Sequence, residues 1–170
     1  MNTTSNASPM KFLISSLEEI YDVLLYPNSG NKQFSKSEAF TFPTGYSKVV
    51  AAIKTTEIST ETILFDVAEA QLDNRDFENK AYWSFAANGQ GDRWMLDENN
   101  AVYFYDHNDD EDFLDMQISF EQWLQMAFLI QQLDAFLELH DNISPSLEKA
   151  FNDSLNSIHP MLSENYPFEI

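Results

Sequence analysis

The chain contains no cysteine. Disulfides, thiolate nucleophiles and zinc sites built on Cys are therefore excluded, and the composition suits a cytoplasmic protein. Glycine occurs only 4 times in 170 residues, so tight turns are few and each glycine matters. No phosphate-binding glycine loop and no Gly-x-Ser-x-Gly elbow is present. Positive charge is scarce too: 9 Lys and Arg stand against 28 Asp and Glu, a formal charge of −19. Without a cluster of Lys or Arg to neutralise phosphates, the sequence argues against nucleic-acid partners and anionic membrane surfaces. A basic protein partner is compatible with it, and electrostatic steering would speed that encounter. No apolar run approaches membrane-spanning length. The start, Met1 to Asn6, has no basic residue, and Phe12-Leu13-Ile14 is soon followed by Glu18-Glu19, so no secretory signal is expected.

What the chain does have is aromatic residues, 14% of the total, with 14 Phe. That is enough to build a core, and the length fits one domain. Residues 1–8 are polar and expected to be disordered, with a single domain over 9–170. Ser8-Pro9 reads as a cap plus first-turn proline, and Leu13, Leu17, Ile20, Tyr21, Leu24 and Leu25 predict a helix over 9–26. Pro27 stops it, a loop follows at 28–31, and 33–45 is irregular with Phe40, Phe42 and Pro43 as anchors. Tyr46, Val49, Val50 and Ile53 suggest a short helix. The stretch 55–60 fits a loop or an edge strand equally. Thr62 to Val67 predicts a strand, and Ala68 to Leu72 a helical turn leading into a charged connection over 73–80.

The middle of the chain is the most informative. Asn88-Gly89 is a hairpin signal whose two central positions call for positive φ, and Gly91 permits a bulge. Alternation puts Trp83, Phe85 and Ala87 on one face of the first strand, and Tyr82, Ser84 and Ala86 on the other. Trp94 and Leu96 share a face of the second strand. Asp97 to Asn100 forms the next turn and Val102 to Tyr105 the third strand. Ser119 with Gln122 forms a capping box for a helix whose broad apolar face runs from Phe120 through Leu133, and Ile118 before the cap is placed to staple onto Trp123. Ser144-Pro145 opens a last helix with Leu147, Ala150, Phe151, Leu155 and Ile158 inward, ending at His159-Pro160. The tail to Ile170 shows no period. Helices, a meander and more helices make an α+β domain with an antiparallel sheet covered by helices.

Catalytic and metal chemistry find little to build on. Asp106 to Asp112 carries acidic groups at alternate positions. Counted from Asp106, however, an EF-hand would need Gly at 111 and Glu at 117, where Glu and Gln stand. A solvated acidic loop is the simpler reading. His107, His140 and His159 are far apart and make no metal-binding spacing. His107, at a strand end, fits a hydrogen bond to a neighbouring carboxylate better than a general base. Trp83, Trp94 and Trp123 sit at apolar positions and read as core. No catalytic residue, no metal and no cofactor is expected.

One set of pieces goes further. Phe85-Ala86-Ala87-Asn88-Gly89-Gln90-Gly91-Asp92, Trp94-Met95-Leu96-Asp97, Val102-Tyr103-Phe104-Tyr105-Asp106-His107 and Ser119-Phe120-Glu121-Gln122-Trp123-Leu124 occur in this order. Together they resemble the SUKH superfamily, the fungal cell-wall-synthesis regulators of the Smi/Knr type and their bacterial relatives. The resemblance spans roughly residues 63–135. Upstream, Phe42-Pro43-Thr44-Gly45-Tyr46 only echoes the family's Pro-x-x-Tyr helix start, and the Asn-Gly-Gly that often comes after it is missing. The resemblance implies one α+β domain, no catalytic residues, and a non-enzymatic protein-binding role. In bacteria that role is immunity against polymorphic toxins, many of them nucleases; in fungi it is a regulatory scaffold with an endogenous partner. A basic toxin domain would meet the acidic surface. Asp109, Asp110, Glu111, Asp112 and Asp115 are the expected contact residues, because five carboxylates in seven positions repel one another and gain from a cationic partner.

Overall fold

The structure, a computed structural model, describes residues 11–26, 32, 34, 40–109 and 112–170. Six strands form one antiparallel meander in chain order: β1 Thr56–Ser59, β2 Thr62–Leu64, β3 Tyr82–Ala87, β4 Arg93–Asp97, β5 Val102–Tyr105 and β6 Phe113–Asp115. Around it lie α1 Leu17–Leu25, α2 Thr44–Ala52, α3 Val67–Asp76, α4 Phe120–Leu137, α5 Pro145–Ile158 and α6 Leu162–Asn165. This is a single α+β domain, as the order of elements in the sequence implies.

The helix starts follow local chemistry. Ser119 accepts from the Gln122 N–H while the Gln122 side chain accepts from the Ser119 N–H, closing the expected capping box. Ser144 caps α5 with Pro145 in its first turn. The first helix differs from expectation. It begins at Ser16, whose box with Glu19 is complete, so the chain from Lys11 to Ser16 is not helical. That segment is held from a distance: the Gln132 carboxamide of α4 accepts from the Leu13 N–H at 2.9 Å and donates to its carbonyl at 2.7 Å. Phe12 is buried edge-on to Phe151 of α5. Ser8-Pro9, the loop at 28–31 and most of 33–39 lie outside the described residues.

The edge of the sheet at 55–60 resolves as strand β1. β2 is shorter than expected because Asp66 leaves the sheet to cap α3, accepting from the Glu69 N–H. α3 in turn absorbs much of the supposed connection over 73–80. The Asn88-Gly89 turn is also built differently. Gly91, at φ 98°, supplies the left-handed residue, while neither Asn88 nor Gly89 has positive φ. The Asn88 side chain accepts from the Gln90 and Asp92 N–H groups and organises the loop instead. β6 lies where the pattern suggests only a loop. The tail, which shows no period, carries α6 and docks Phe168 edge-on against Trp94 and Phe104.

A bulge at Phe85 decides which residue faces where. Ser84 pairs with Met95 and Ala86 with Trp94, so β3 spends one residue more than β4 over this step. Ala87 consequently shares the Arg93 side of the sheet and not the Trp83 side. One face carries Trp83, Ala86, Trp94, Leu96, Val102 and Phe104 and packs with α4, α5 and the aromatic anchors Tyr46, Phe85, Phe120 and Trp123. Trp94 and Trp123 are fully buried. The Trp94 indole donates to the Glu61 carbonyl at 2.8 Å, and the Trp83 indole to the buried Tyr46 hydroxyl at 2.8 Å.

β2 pairs only with Ala86 and Ala87, which leaves the start of β3 without a neighbour on that side. α3 fills the gap. The buried Asn74 carboxamide donates to the Ser84 carbonyl and accepts from the Ser84 N–H, both at 2.7 Å. One side chain here stands in for a strand partner.

Candidate functional site: the acidic loop and the sheet face beside it

The expected contact loop is only partly a loop. Asp109 and Asp112 are exposed; the Asp109 N–H donates to the Asp106 carbonyl and the Asp112 N–H to the Asp109 carbonyl. Asp110 and Glu111 lie outside the described residues. Asp115 belongs to β6, where it pairs with Tyr103 and accepts from the Gln117 N–H at 2.8 Å. The structure therefore separates Asp115 from the loop and places it on the open face of the sheet.

At the near end of that loop, Asp92 forms a clamp. Its Oδ1 accepts from the His107 N–H at 3.1 Å and lies 2.6 Å from His107 Nδ1. Its Oδ2 accepts from Asn88 Nδ2 at 2.9 Å, and the same Nδ2 reaches Glu61 Oε2 at 2.9 Å. Burial alone would raise the Asp92 carboxyl, but the hydrogen bonds from His107 and Asn88 outweigh it and hold the group below its ordinary value. Asp92, Asp106 and His107 bring ligand atoms within 4.8 Å of one another, the one grouping among the described residues that offers a cation three ligands. Both Asp92 oxygens already accept hydrogen bonds, so its evident role is to tie the β3–β4 turn to the end of β5. His107 thus makes the carboxylate contact that its position suggests.

The other face of the sheet holds a second aromatic group that alternation alone does not reveal. Tyr82 stacks on Phe113 with centroids 4.2 Å apart at 12°, and Tyr103 meets Tyr82 edge-on at 5.2 Å. Phe77, just beyond α3, packs on Tyr105. Met95 is sealed beneath this face, fully buried but outside the main core cluster. Arg93 is fixed by two bonds to Asp73, at 2.8 and 3.0 Å, and lies over the Phe77 ring. A groove of about 390 Å³ runs beside it, lined by Asp76, Phe77, Glu78, Asn79, Arg93, Tyr105 and Phe113. The Tyr103 hydroxyl donates to Asp97; burial, then the charges of Asp115 and Asp97, raise its pKa above the ordinary tyrosine value.

Trp83, Trp94 and Trp123 are all core residues, none more than 8% exposed. Among the described residues, no helix is long and apolar enough to cross a membrane.

The fold and this surface define an α+β meander domain with an acidic loop and an aromatic, carboxylate-edged sheet face. No family model, no curated protein and no solved structure matches the chain.

Proposed function

We propose that this chain is a non-enzymatic protein-binding module, an immunity protein that neutralises a basic toxin domain through its acidic surface. The observation that carries the reading is the exposure of Asp109, Asp112 and Asp115 on a chain of net charge −19. Exposed carboxylates on so acidic a chain raise the rate of encounter with a cationic partner and favour its docking. The resemblance over residues 63–135 supplies the toxin-immunity setting; the alternative is a regulatory scaffold of the Smi/Knr type with an endogenous partner. Co-expression with basic toxin domains encoded beside the gene tests the first reading. Growth rescue that is lost when Asp109, Asp112 and Asp115 are changed to Lys supports immunity. Failure to rescue, with an endogenous protein recovered at low ionic strength through the same carboxylates, moves the function to the scaffold.

A further inference from the structure

The open sheet face joins two features that the acidic loop lacks: fixed aromatic rings and carboxylates set by strand register. Asp97 stands directly opposite Tyr82, and Asp115 directly opposite Tyr103. Tyr82, Tyr103 and Phe113 are partly exposed, and their rings brace one another across β3, β5 and β6. The cations of the neighbourhood are already engaged. Arg93 is held by Asp73, and the Lys80 ammonium donates to the Asn74 and Arg75 carbonyls. Among the described residues neither Asp97 nor Asp115 takes part in an ion pair; Asp97 Oδ1 accepts from the Asn99 and Ala101 N–H groups and Asp115 Oδ1 from the Gln117 N–H, so each carboxylate is held in place but its charge is not matched by a cation.

We infer that this face is the seat for an arginine-bearing segment of the partner protein, with the guanidinium lying against Tyr103 and Tyr82 and its N–H groups directed to Asp97 and Asp115. The inference rests on the protein-binding reading above and narrows it to one surface. Arginine suits the site better than lysine. Its planar cation stacks on a ring while its fork meets carboxylate oxygens, and it sheds water more readily than an ammonium. Net charge brings the partner in, and the rings give the bound state its register. The exposed loop carboxylates of Asp109 and Asp112 then serve the approach more than the grip.

The test uses the intact chain and three peptides of equal length, rich in Arg, Lys or Gln, titrated at about 150 mM salt, where surface attraction is screened beyond ~8 Å. The ¹⁵N resonances report the binding site. The expected result is that the Arg peptide binds most tightly and moves the amides of Tyr82, Tyr103, Phe113 and Asp115. Asp97→Asn with Asp115→Asn, which keeps the side-chain oxygens that accept the local backbone bonds, should weaken it by about ten-fold. Tyr103→Leu, which keeps an apolar cover over Met95, should weaken it by about five-fold with the Lys peptide affected less. Asp109→Asn with Asp112→Asn should leave the dissociation constant within about two-fold and slow association only. If the loop pair carries the loss and the face variants bind normally, the protein-binding reading stands and this seat is wrong. If every variant, including a control at Glu148 and Asp153 on α5, weakens binding equally, the peptide is merely condensing on a charged surface, and the seat is again rejected. Amide spectra of each free variant identify any that has lost its fold, and Tyr103→Phe, which preserves the ring, should bind like the parent.

Discussion

The two faces of the sheet use the same kind of residue to opposite ends. On the α4 side, Trp94, Phe85, Phe120 and Trp123 interlock at centroid distances of 4.8 to 6.0 Å and are wholly buried. On the far side, Tyr82, Tyr103 and Phe113 pack at similar distances but remain partly open, and each tyrosine has a carboxylate opposite it. Ring contacts alone therefore do not make a core. What separates the faces is whether a helix layer completes the burial, since the favourable term scales with apolar area removed from water and not with the number of ring pairs. The first face thus answers for stability, while the second leaves its rings partly open to solvent.

Truncation is the most forceful way to break that contrast. Trp94→Ala should cost about 3–5 kcal/mol, because the cavity left among Trp123, Phe104 and Phe168 cannot collapse in a close-packed layer. Tyr82→Ala removes a ring with solvent on one side and should cost about 1–2 kcal/mol. Urea unfolding of the two variants checks the pair. Equal losses would mean that the far face is core as well, and would weaken its claim as a surface for partners.

A smaller loss is expected where the sheet is completed by a side chain. Asn74→Ala strands the N–H and the carbonyl of Ser84 in a buried setting, at about 2–3 kcal/mol for the pair. Asn74→Asp can accept from the Ser84 N–H but cannot donate to its carbonyl, so it should fare no better near neutral pH. Hydrogen exchange gives the sharper readout: the Ser84 amide should lose protection in Asn74→Ala while the Trp94 amide, in the strand ladder, keeps most of its own. Loss of protection along all of β3 and β4 would show that α3 holds the whole sheet and not one edge of it.

Sequence discloses some of this architecture and hides the rest for physical reasons. α4 and α5 are legible to the residue because their starts are chemical statements, Ser119 with Gln122 and Ser144 with Pro145. The three central strands of the meander are legible from alternation, although the turn after β3 turns on Gly91 and not on Asn88-Gly89. The start of α1 is harder to place although Ser16 and Glu19 spell out a box, because Ser8-Pro9 offers an earlier start. Leu13, outside the helix, bonds instead to Gln132, 119 positions away. α3 looks shorter than it is because it has little amphipathic period, and its key inward residue, Asn74, is polar. β6 has three residues and comes directly after a carboxylate run, so pattern has little to grip. Asp109 and Asp112 are legible as exposed charge, but spacing alone groups Asp115 with them when it belongs to a strand. The aromatic face is hidden for a geometric reason. Its rings come from three different strands, β3, β5 and β6, so only register brings them together.

Carboxylates distinguish the faces as well, and here the smallest expected effect has the opposite sign. If those on the far face are kept for a partner, those at the edge of the core should show only their cost. Glu61, in the β1–β2 turn, is such a group. Burial raises its carboxyl above the ordinary 4.5; the bond from Asn88 lowers it, and the charges of Asp134 and Asp92 raise it further, so the net shift is upward. The native state thus holds this proton more tightly than the unfolded chain does. Stability from the group is present below pH 4.5 and declines as pH rises through the raised native value, leaving a penalty at neutrality. Glu61→Gln has no charge to desolvate and can still accept from Asn88, so it should stabilise the protein at pH 7 by about 0.5 kcal/mol, solvent screening of a part-exposed site keeping the gain small. The gain should vanish below pH 4.5, where Glu61 is protonated in both states. Asp92 behaves in the reverse sense. Its native value lies below the ordinary 3.8, so its contribution is present above that pH and is lost as pH falls through the native value, in parent and variant alike. Melting curves from pH 3 to 8 separate the two groups: a Glu61→Gln protein that is less stable at pH 7, or one whose gain is the same at pH 4 and pH 7, would show that Glu61 is not an electrostatic burden on the edge of the core.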